Sequence, residues 1–231
     1  MKTERKFLKT ASELIRGVDP KEAEKIQENL RRHCILERTI DTCEIRRVAG
    51  ADAAYDRDTI YAAVVVMKFP GLEVIEKTYA MHEIPFPYIP GLLSFREGPA
   101  IMDAFNNLSD VPDLLLINGH GYAHPKRFGI ACHIGLLLDI PSIGIAQHLL
   151  IGNAALPGPA RGSAEPVLDH GEIIGMAVRT LPGAKPVFIS AGYKVDLAQA
   201  VDLALKMTTL HRLTEPLWQA DKLSRQYKDR Q

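Results

Sequence analysis

Val48-Ala-Gly-Ala-Asp-Ala-Ala-Tyr55, Tyr61-Ala-Ala-Val-Val-Val-Met-Lys-Phe69 and Leu72-Glu-Val-Ile-Glu-Lys-Thr-Tyr-Ala-Met81 are three consecutive apolar runs of strand length. The links between them are only Asp56 to Asp58 and Pro70-Gly71. Links that short suit hairpins, so the three runs predict antiparallel strands. Downstream the pattern alternates. After the proline-rich segment Pro85 to Pro90 comes a helical stretch at Gly98 to Asn107, then a strand at Leu114 to Asn118. A helix at Ile130 to Leu138 and a strand at Ser142 to Ala146 follow. Alternation of this kind implies parallel strands joined by helical crossovers. Strands at Glu172 to Arg179 and Val187 to Ser190 precede helices at Leu197 to Leu210 and from about Glu215. Upstream, Asp19-Pro20 with Glu22 has the form of a capped helix start, and Ala23, Ile26, Leu30 and Cys34 recur at helical spacing. The expectation is one α/β domain over residues 1–231: a mixed sheet, antiparallel strands first and parallel strands after, flanked by helices. Asn153 to Pro166, rich in Gly, Ala and Pro, reads as a surface loop.

Composition sets further bounds. Lys plus Arg equal Asp plus Glu at 28 each, so nucleic-acid binding would need a local basic patch rather than the field of the whole molecule. Three cysteines without C-x-x-C spacing suggest neither a disulfide framework nor a thiolate zinc site. No apolar stretch is long enough to cross a bilayer, and Met1 to Ile15 lacks the apolar block of a secretory signal. A cytoplasmic protein is expected.

Two acids stand out. Asp52 interrupts small and apolar residues on a buried strand, a costly position unless something pairs with it. Glu97 follows Phe95-Arg96 at a helix start, where a carboxylate also suits the helix dipole. Hard carboxylate oxygens fixed on a rigid sheet suit magnesium; a turn-capping Asp and a dipole-facing Glu are the plainer readings. More informative is Ile117-Asn-Gly-His-Gly-Tyr-Ala-His-Pro-Lys-Arg-Phe-Gly-Ile-Ala-Cys-His-Ile-Gly135. Here a strand runs into a loop whose Gly119 and Gly121 let backbone approach a ligand. His124, Lys126 and Arg127 then lead into a helix, an arrangement able to bind phosphate.

Val48 to Tyr55, Phe86-Pro-Tyr-Ile-Pro-Gly91, Leu93 to Gly98 and the long His-Pro segment together resemble the successive motifs of the endonuclease V family, in the family's order. Ser142 to Ala146, Ser190-Ala-Gly192 and Thr214-Glu-Pro216 continue the likeness, which runs from about Asp19 to Asp221. The resemblance implies a ribonuclease H-like fold, a monomer, and hydrolysis of a phosphodiester to the 3′ side of a deaminated purine in DNA or RNA, assisted by Mg2+ or Mn2+. By position, Asp52, Glu97 and Asn118 would hold the metal. Tyr88, flanked by Pro87 and Ile89, would be the tip of a wedge filling the space of an extruded base. His124 would lie by the scissile phosphate, with Gln147 beside it, and Gly119, Gly121, Lys126 and Arg127 would contact the nucleic acid. An aromatic ring stacked where a base was is worth roughly 1 to 3 kcal/mol.

The chain departs from that pattern at four places. Asp stands in the family where this chain has Asn118, Lys where it has Gln147, His where it has Tyr193, and Thr-Arg where it has Leu217-Trp218. Asn118 offers a carbonyl oxygen but no charge, and Gln147 keeps a donor but no cation. Metal binding and transition-state stabilisation should both weaken, which gives an alternative: a homologue that binds deaminated nucleic acid without cutting it. Deamidation at Asn118-Gly119 is a possible route back to an acid. Two other classes compete, a zinc hydrolase on His120, His124 and His133, and a cysteine hydrolase on Cys132 with His124 or His133. Gly119, Gly121 and Pro125 disfavour a helix aiming the first two histidines together, and Cys132 suits apolar packing.

Overall fold

The computed structural model describes residues 17–229; the reading of Met1 to Ile15 lies outside them. Asp19 caps α1 (Pro20–Arg31) as the sequence predicts, its carboxylate accepting from the Lys21 and Glu22 N–H groups at 2.8 and 3.0 Å. The helix stops before Cys34, which lies beyond it.

β1 (Arg47–Asp56), β2 (Thr59–Lys68) and β3 (Val74–Glu83) form the expected antiparallel meander. After it come α2 (Leu93–Asn106), β4 (Leu114–Asn118), α3 (Ile130–Leu138) and β5 (Ser142–Ala146). β4 pairs in parallel with both β1 and β5. The chain then continues through β6 (Ala164–Asp169), β7 (Glu172–Val178), β8 (Val187–Tyr193), α4 (Leu197–Lys206) and α5 (Glu215–Lys228). These strands make one eight-stranded sheet in the order β3-β2-β1-β4-β5-β8-β7-β6.

Four details differ from the expectation. β8 lies antiparallel to β5, and β7 and β6 follow antiparallel, so the parallel part is confined to β1, β4 and β5. The end of the expected loop, Ala164 to Pro166, opens β6; an edge strand tolerates the proline's missing donor. α2 begins at Leu93, five residues early, and carries Pro99 in its interior, so Glu97 sits in the second turn rather than at the start. α4 ends at Lys206, where Thr208 turns its hydroxyl back onto the Ala204 carbonyl at 2.8 Å.

Alternating residues of β1 and β4 feed two cores. Ala49, Ala51, Leu115 and Ile117 pack under α2 and α3, while Val48, Leu114 and Leu116 pack under α4 and α5. At Gly50 the sheet meets α5 closely, because a Cβ there would lie 2.2 Å from the Pro216 carbonyl carbon and oxygen. Gly50→Ala therefore forces α5 off the sheet. We expect a loss of about 1 to 3 kcal/mol, and thus a melting temperature lower by roughly 2 to 10 °C. An unchanged melting curve would show that α5 can shift at no cost.

Candidate functional site

Asp52 lies one residue past the last β1–β4 pair, Ala51 with Ile117, and so sits beside Asn118 at the end of β4. Only 6% exposed, its Oδ1 accepts from the Ala53 N–H at 2.8 Å and from Asn118 Nδ2 at 3.0 Å. Burial pushes the carboxyl up to about 7; the two hydrogen bonds oppose the shift, and the nearby Asp221 adds to it. Glu97 reaches the same region from α2. It is 8% exposed, accepts from the Tyr55 hydroxyl at 2.6 Å, and is pushed up to about 8, chiefly by burial and also by the charge of Asp52. Arg96 lies 5.0 Å from the centre of the Tyr55 ring and donates to the Phe86 carbonyl at 2.6 Å.

Asp221 was not among the residues singled out from the sequence. It lies on α5, where its ion pair with Arg225 at 2.8 Å reads as an ordinary surface pair four residues apart. The close approach of α5 at Gly50 brings it near enough to Asp52 to push that carboxyl further up. The one sequence signal was Thr214-Glu-Pro216 just upstream, together with a glycine inside a strand.

The Pro85 to Gly91 segment is anchored at both ends. Phe86 is buried, and the Gly91 carbonyl accepts from Gln27 Nε2 at 2.8 Å and His124 Nε2 at 3.0 Å. Tyr88 projects from between these anchors, 70% exposed. Behind it lies a cavity of about 230 Å³ lined by Tyr88, Ile89, Leu93, His120, His124 and Ile130 among others. That is below the roughly 300 Å³ at which pockets for drug-sized ligands begin, a size for one planar base. The cavity lies one helical turn from Glu97 along α2 and two residues from Asn118 along the chain. Gly121 makes this possible: a Cβ there would sit 2.0 Å from the Ala191 carbonyl oxygen.

Two residues expected at the phosphate make contacts within the chain. His124 is buried in the cavity wall, where its Nε2 donates to Gly91 and its Nδ1 accepts from the Lys126 N–H at 3.1 Å. Burial pulls it down to about 4, so it is a neutral brace for the tyrosine loop. Arg127 pairs with Asp169 and Glu172, each at 2.8 Å, so its charge is spent on the turn between β6 and β7. Lys126 is exposed.

The departures from the family pattern also sort by position. Gln147 directly follows β5, whose Ile145 pairs with Asn118. Tyr193 pairs with Ser142 at the opposite end of β5 and donates to Asp139 at 3.0 Å, away from the carboxylates. Leu217 is fully buried in the core, and Trp218 stacks on His211 with ring centres 3.7 Å apart. Deamidation at Asn118 is disfavoured. The Gly119 nitrogen that would attack the side chain is engaged with the Ile145 carbonyl at 3.1 Å, and Asp52 holds the amide.

The competing chemistries find no site. Among the described residues no three His, Cys, Asp or Glu side chains form a metal-binding group, and His133 is fully buried against Ser94 at 2.8 Å. Burial raises the Cys132 thiol well above its ordinary range, the opposite of an activated nucleophile. No helix among the described residues is long and apolar enough to cross a membrane.

Comparison with known proteins agrees with this arrangement. The model of the Endonuclease V family matches residues 28–222. An Endonuclease V of Roseiflexus castenholzii is 46% identical over 213 residues, covering 90% of this chain and 93% of the relative. The crystal structure of an Endonuclease V from Streptomyces avermitilis superposes with a TM-score of 0.88 at 40% identity, covering 92% of this chain and 94% of that one. A Ciona intestinalis Endonuclease V, crystallised with a 24mer DNA containing an inosine followed by a ribo-adenosine, superposes with a TM-score of 0.78 at 25% identity, covering 92% of this chain and 99% of that one. A sheet ending in Asp52 and Asn118, with Glu97 closing in from α2 and a braced tyrosine loop over a base-sized cavity, thus belongs to a chain of the endonuclease V family of nucleases.

Proposed function

We propose that this protein is an endonuclease that recognises a deaminated purine, inosine or deoxyinosine, and hydrolyses a phosphodiester to its 3′ side in DNA or RNA. The observation that carries the reading is the exposed Tyr88 on its doubly anchored loop, with the base-sized cavity behind it and buried carboxylates beside it. The Ciona relative's inosine-containing DNA supports the same substrate class.

Buried hard oxygens on carboxyls that their own desolvation pushes up suit a divalent cation such as Mg2+ or Mn2+. Asp52, Glu97 and the Asn118 carbonyl oxygen are the donors we assign. A bound cation would neutralise charge developing on the phosphate and acidify a water. The chain's own part is orientation. Ala53 N–H and Asn118 hold Asp52, and Tyr55 holds Glu97. Tyr88, stiffened by Pro87 and flanked by Ile89, takes the place of the extruded base. The backbone at Gly119 and Gly121 lets the strand approach, Gln147 offers a neutral donor, and exposed Lys126 contacts the phosphate chain.

A second reading is favoured by the neutral Asn118 and Gln147: binding of the same lesion without hydrolysis. Incubation of the purified protein with a fluorescent inosine-containing strand and Mg2+ or Mn2+ separates them, by cut product or by a retarded band alone. A matched adenosine strand treated identically would sink both. Tyr88→Ala should weaken lesion binding by roughly 1 to 3 kcal/mol with no loss of melting temperature. Equal affinity in the variant would remove the wedge.

A further inference from the structure

Arg212 lies in the connection 207–214 between α4 and α5. That connection is wound around one carboxylate: Thr209 Oγ1 and the Leu210 N–H donate to Glu215 Oε1 at 2.6 and 3.2 Å, and His211 Nδ1 lies 3.0 Å from it. The Thr180 hydroxyl donates to the Arg212 carbonyl at 2.7 Å. The backbone beneath Arg212 is therefore fixed. Its side chain is not comparably engaged. Nη2 reaches the Gln147 carbonyl at 3.3 Å, while Nε is buried with no hydrogen-bond partner. Among the described residues no ion pair involves Arg212. Partial burial pulls the guanidinium below its ordinary range. A partly buried cation with no anion beside it is left to take one from solution, and an orphaned buried donor calls for an explanation.

Its position supplies one. Gln147 directly follows β5 and sits beside the strand end that carries Asn118. His211, the preceding residue, stacks on Trp218, one helical turn before Asp221 on α5. The guanidinium thus stands at the rim of the carboxylate site, next to Gln147, which brings no charge. Asp52, Glu97 and Asp221 would by themselves repel a phosphodiester. A fixed fork of N–H donors matches a pair of phosphate oxygens.

We infer that Arg212 is the phosphate-binding cation of this site, turning the accessible edge of its guanidinium to the nucleic-acid backbone beside the carboxylates. The inference rests on the nuclease reading above and adds a named residue to it.

The test uses the full chain and the fluorescent inosine strand, with binding measured from about 50 to about 200 mM salt and cutting at fixed salt. Arg212→Gln should lower the slope of log Kd against log salt by about one and slow any cutting by roughly tenfold to a hundredfold, with melting temperature retained. Arg212→Lys should restore the slope but only part of the rate, since an ammonium lacks the fork. Gln147→Lys placed in the Arg212→Gln background should recover part of both, because it returns a cation to the same rim. A merely structural arginine would lower the melting temperature, leave the slope alone, and be rescued by neither lysine; that pattern overturns the assignment. If the unaltered protein neither binds nor cuts the strand, the nuclease reading fails and this inference with it. If the unaltered protein binds and Arg212→Gln binds with the same slope, only the inference fails.

Discussion

Asn118→Asp is expected to tighten binding of Mn2+ by up to about a thousandfold while making the metal-free protein less stable. Both effects follow from one contact, the Asn118 Nδ2 donor on Asp52 Oδ1 at 3.0 Å. An ionised carboxylate at 118 cannot donate. Asp52, already close to Asp221, then loses a hydrogen bond and faces one more negative neighbour. Asp52 Oδ1 keeps the Ala53 N–H at 2.8 Å, but losing one hydrogen bond to a charged group costs about 1.5 to 3 kcal/mol, so melting in the presence of a chelator should occur at lower temperature. With a cation present the sign reverses. One added charge about 4 Å from the ion, at an effective dielectric near 20, contributes roughly 4 kcal/mol, on the order of a thousandfold in affinity. Calorimetric titration with Mn2+ checks the second effect, and melting with and without chelator checks the first. Equal Mn2+ affinity in the two proteins would mean that residue 118 does not face the cation at all.

The parts of the fold that sequence made legible are those in which local chemistry and tertiary structure agree. The β1–β3 meander was readable because Asp56 to Asp58 and Pro70-Gly71 leave no room for another connection, and α1 because Asp19, Pro20 and Glu22 satisfy its first turn locally. What was missed depends on distant partners. β6 has no periodicity of its own around Pro166 and exists by pairing with β7, and nothing local records that β8 runs antiparallel to β5. The start of α2 has no side-chain cap at Leu92, and Pro99 looks like a boundary, so Glu97 appeared nearer the helix end than it is. The candidate site divides in the same way. Asp52 was conspicuous as an acid in a buried strand, and Tyr88 as an aromatic between prolines. Arg127 looked free because Asp169 and Glu172, which neutralise it, lie more than 40 residues away. Asp221 looked like a surface acid because it is the packing of α5 on β1, close at Pro216 and Gly50, that carries it to Asp52.

Asp52→Asn is expected to reduce cutting by roughly a thousandfold or more, and also to make the metal-free protein more stable than the unaltered one at pH 8. The loss of activity follows from removing a carboxylate that would hold the cation, whose charge stabilisation is worth several kcal/mol at tenfold per roughly 1.4 kcal/mol. The gain in stability follows from proton linkage. Burial holds the Asp52 carboxyl up at about 7 and that of Glu97 at about 8, against about 4 in an unfolded chain. Between about pH 4 and pH 8 the folded protein therefore binds more protons than the unfolded one. The stability these groups contribute is full below about pH 4 and is lost as pH rises through 7 to 8. His120, His124 and His133, pulled down by burial to about 4, 4 and 3, slope the other way below about pH 6.5, but they do so equally in both proteins. The difference between the two melting curves thus isolates Asp52: small near pH 5, growing in favour of the variant toward pH 8. Glu97→Gln should gain less, because the Tyr55 hydroxyl loses its charged acceptor. The same protons compete with a cation, so Mn2+ affinity of the unaltered protein should fall as pH drops below 7. Parallel melting curves for the unaltered protein and Asp52→Asn across that range would mean that the Asp52 carboxylate is not held against its charge, and the driving force assigned here to cation capture would be absent.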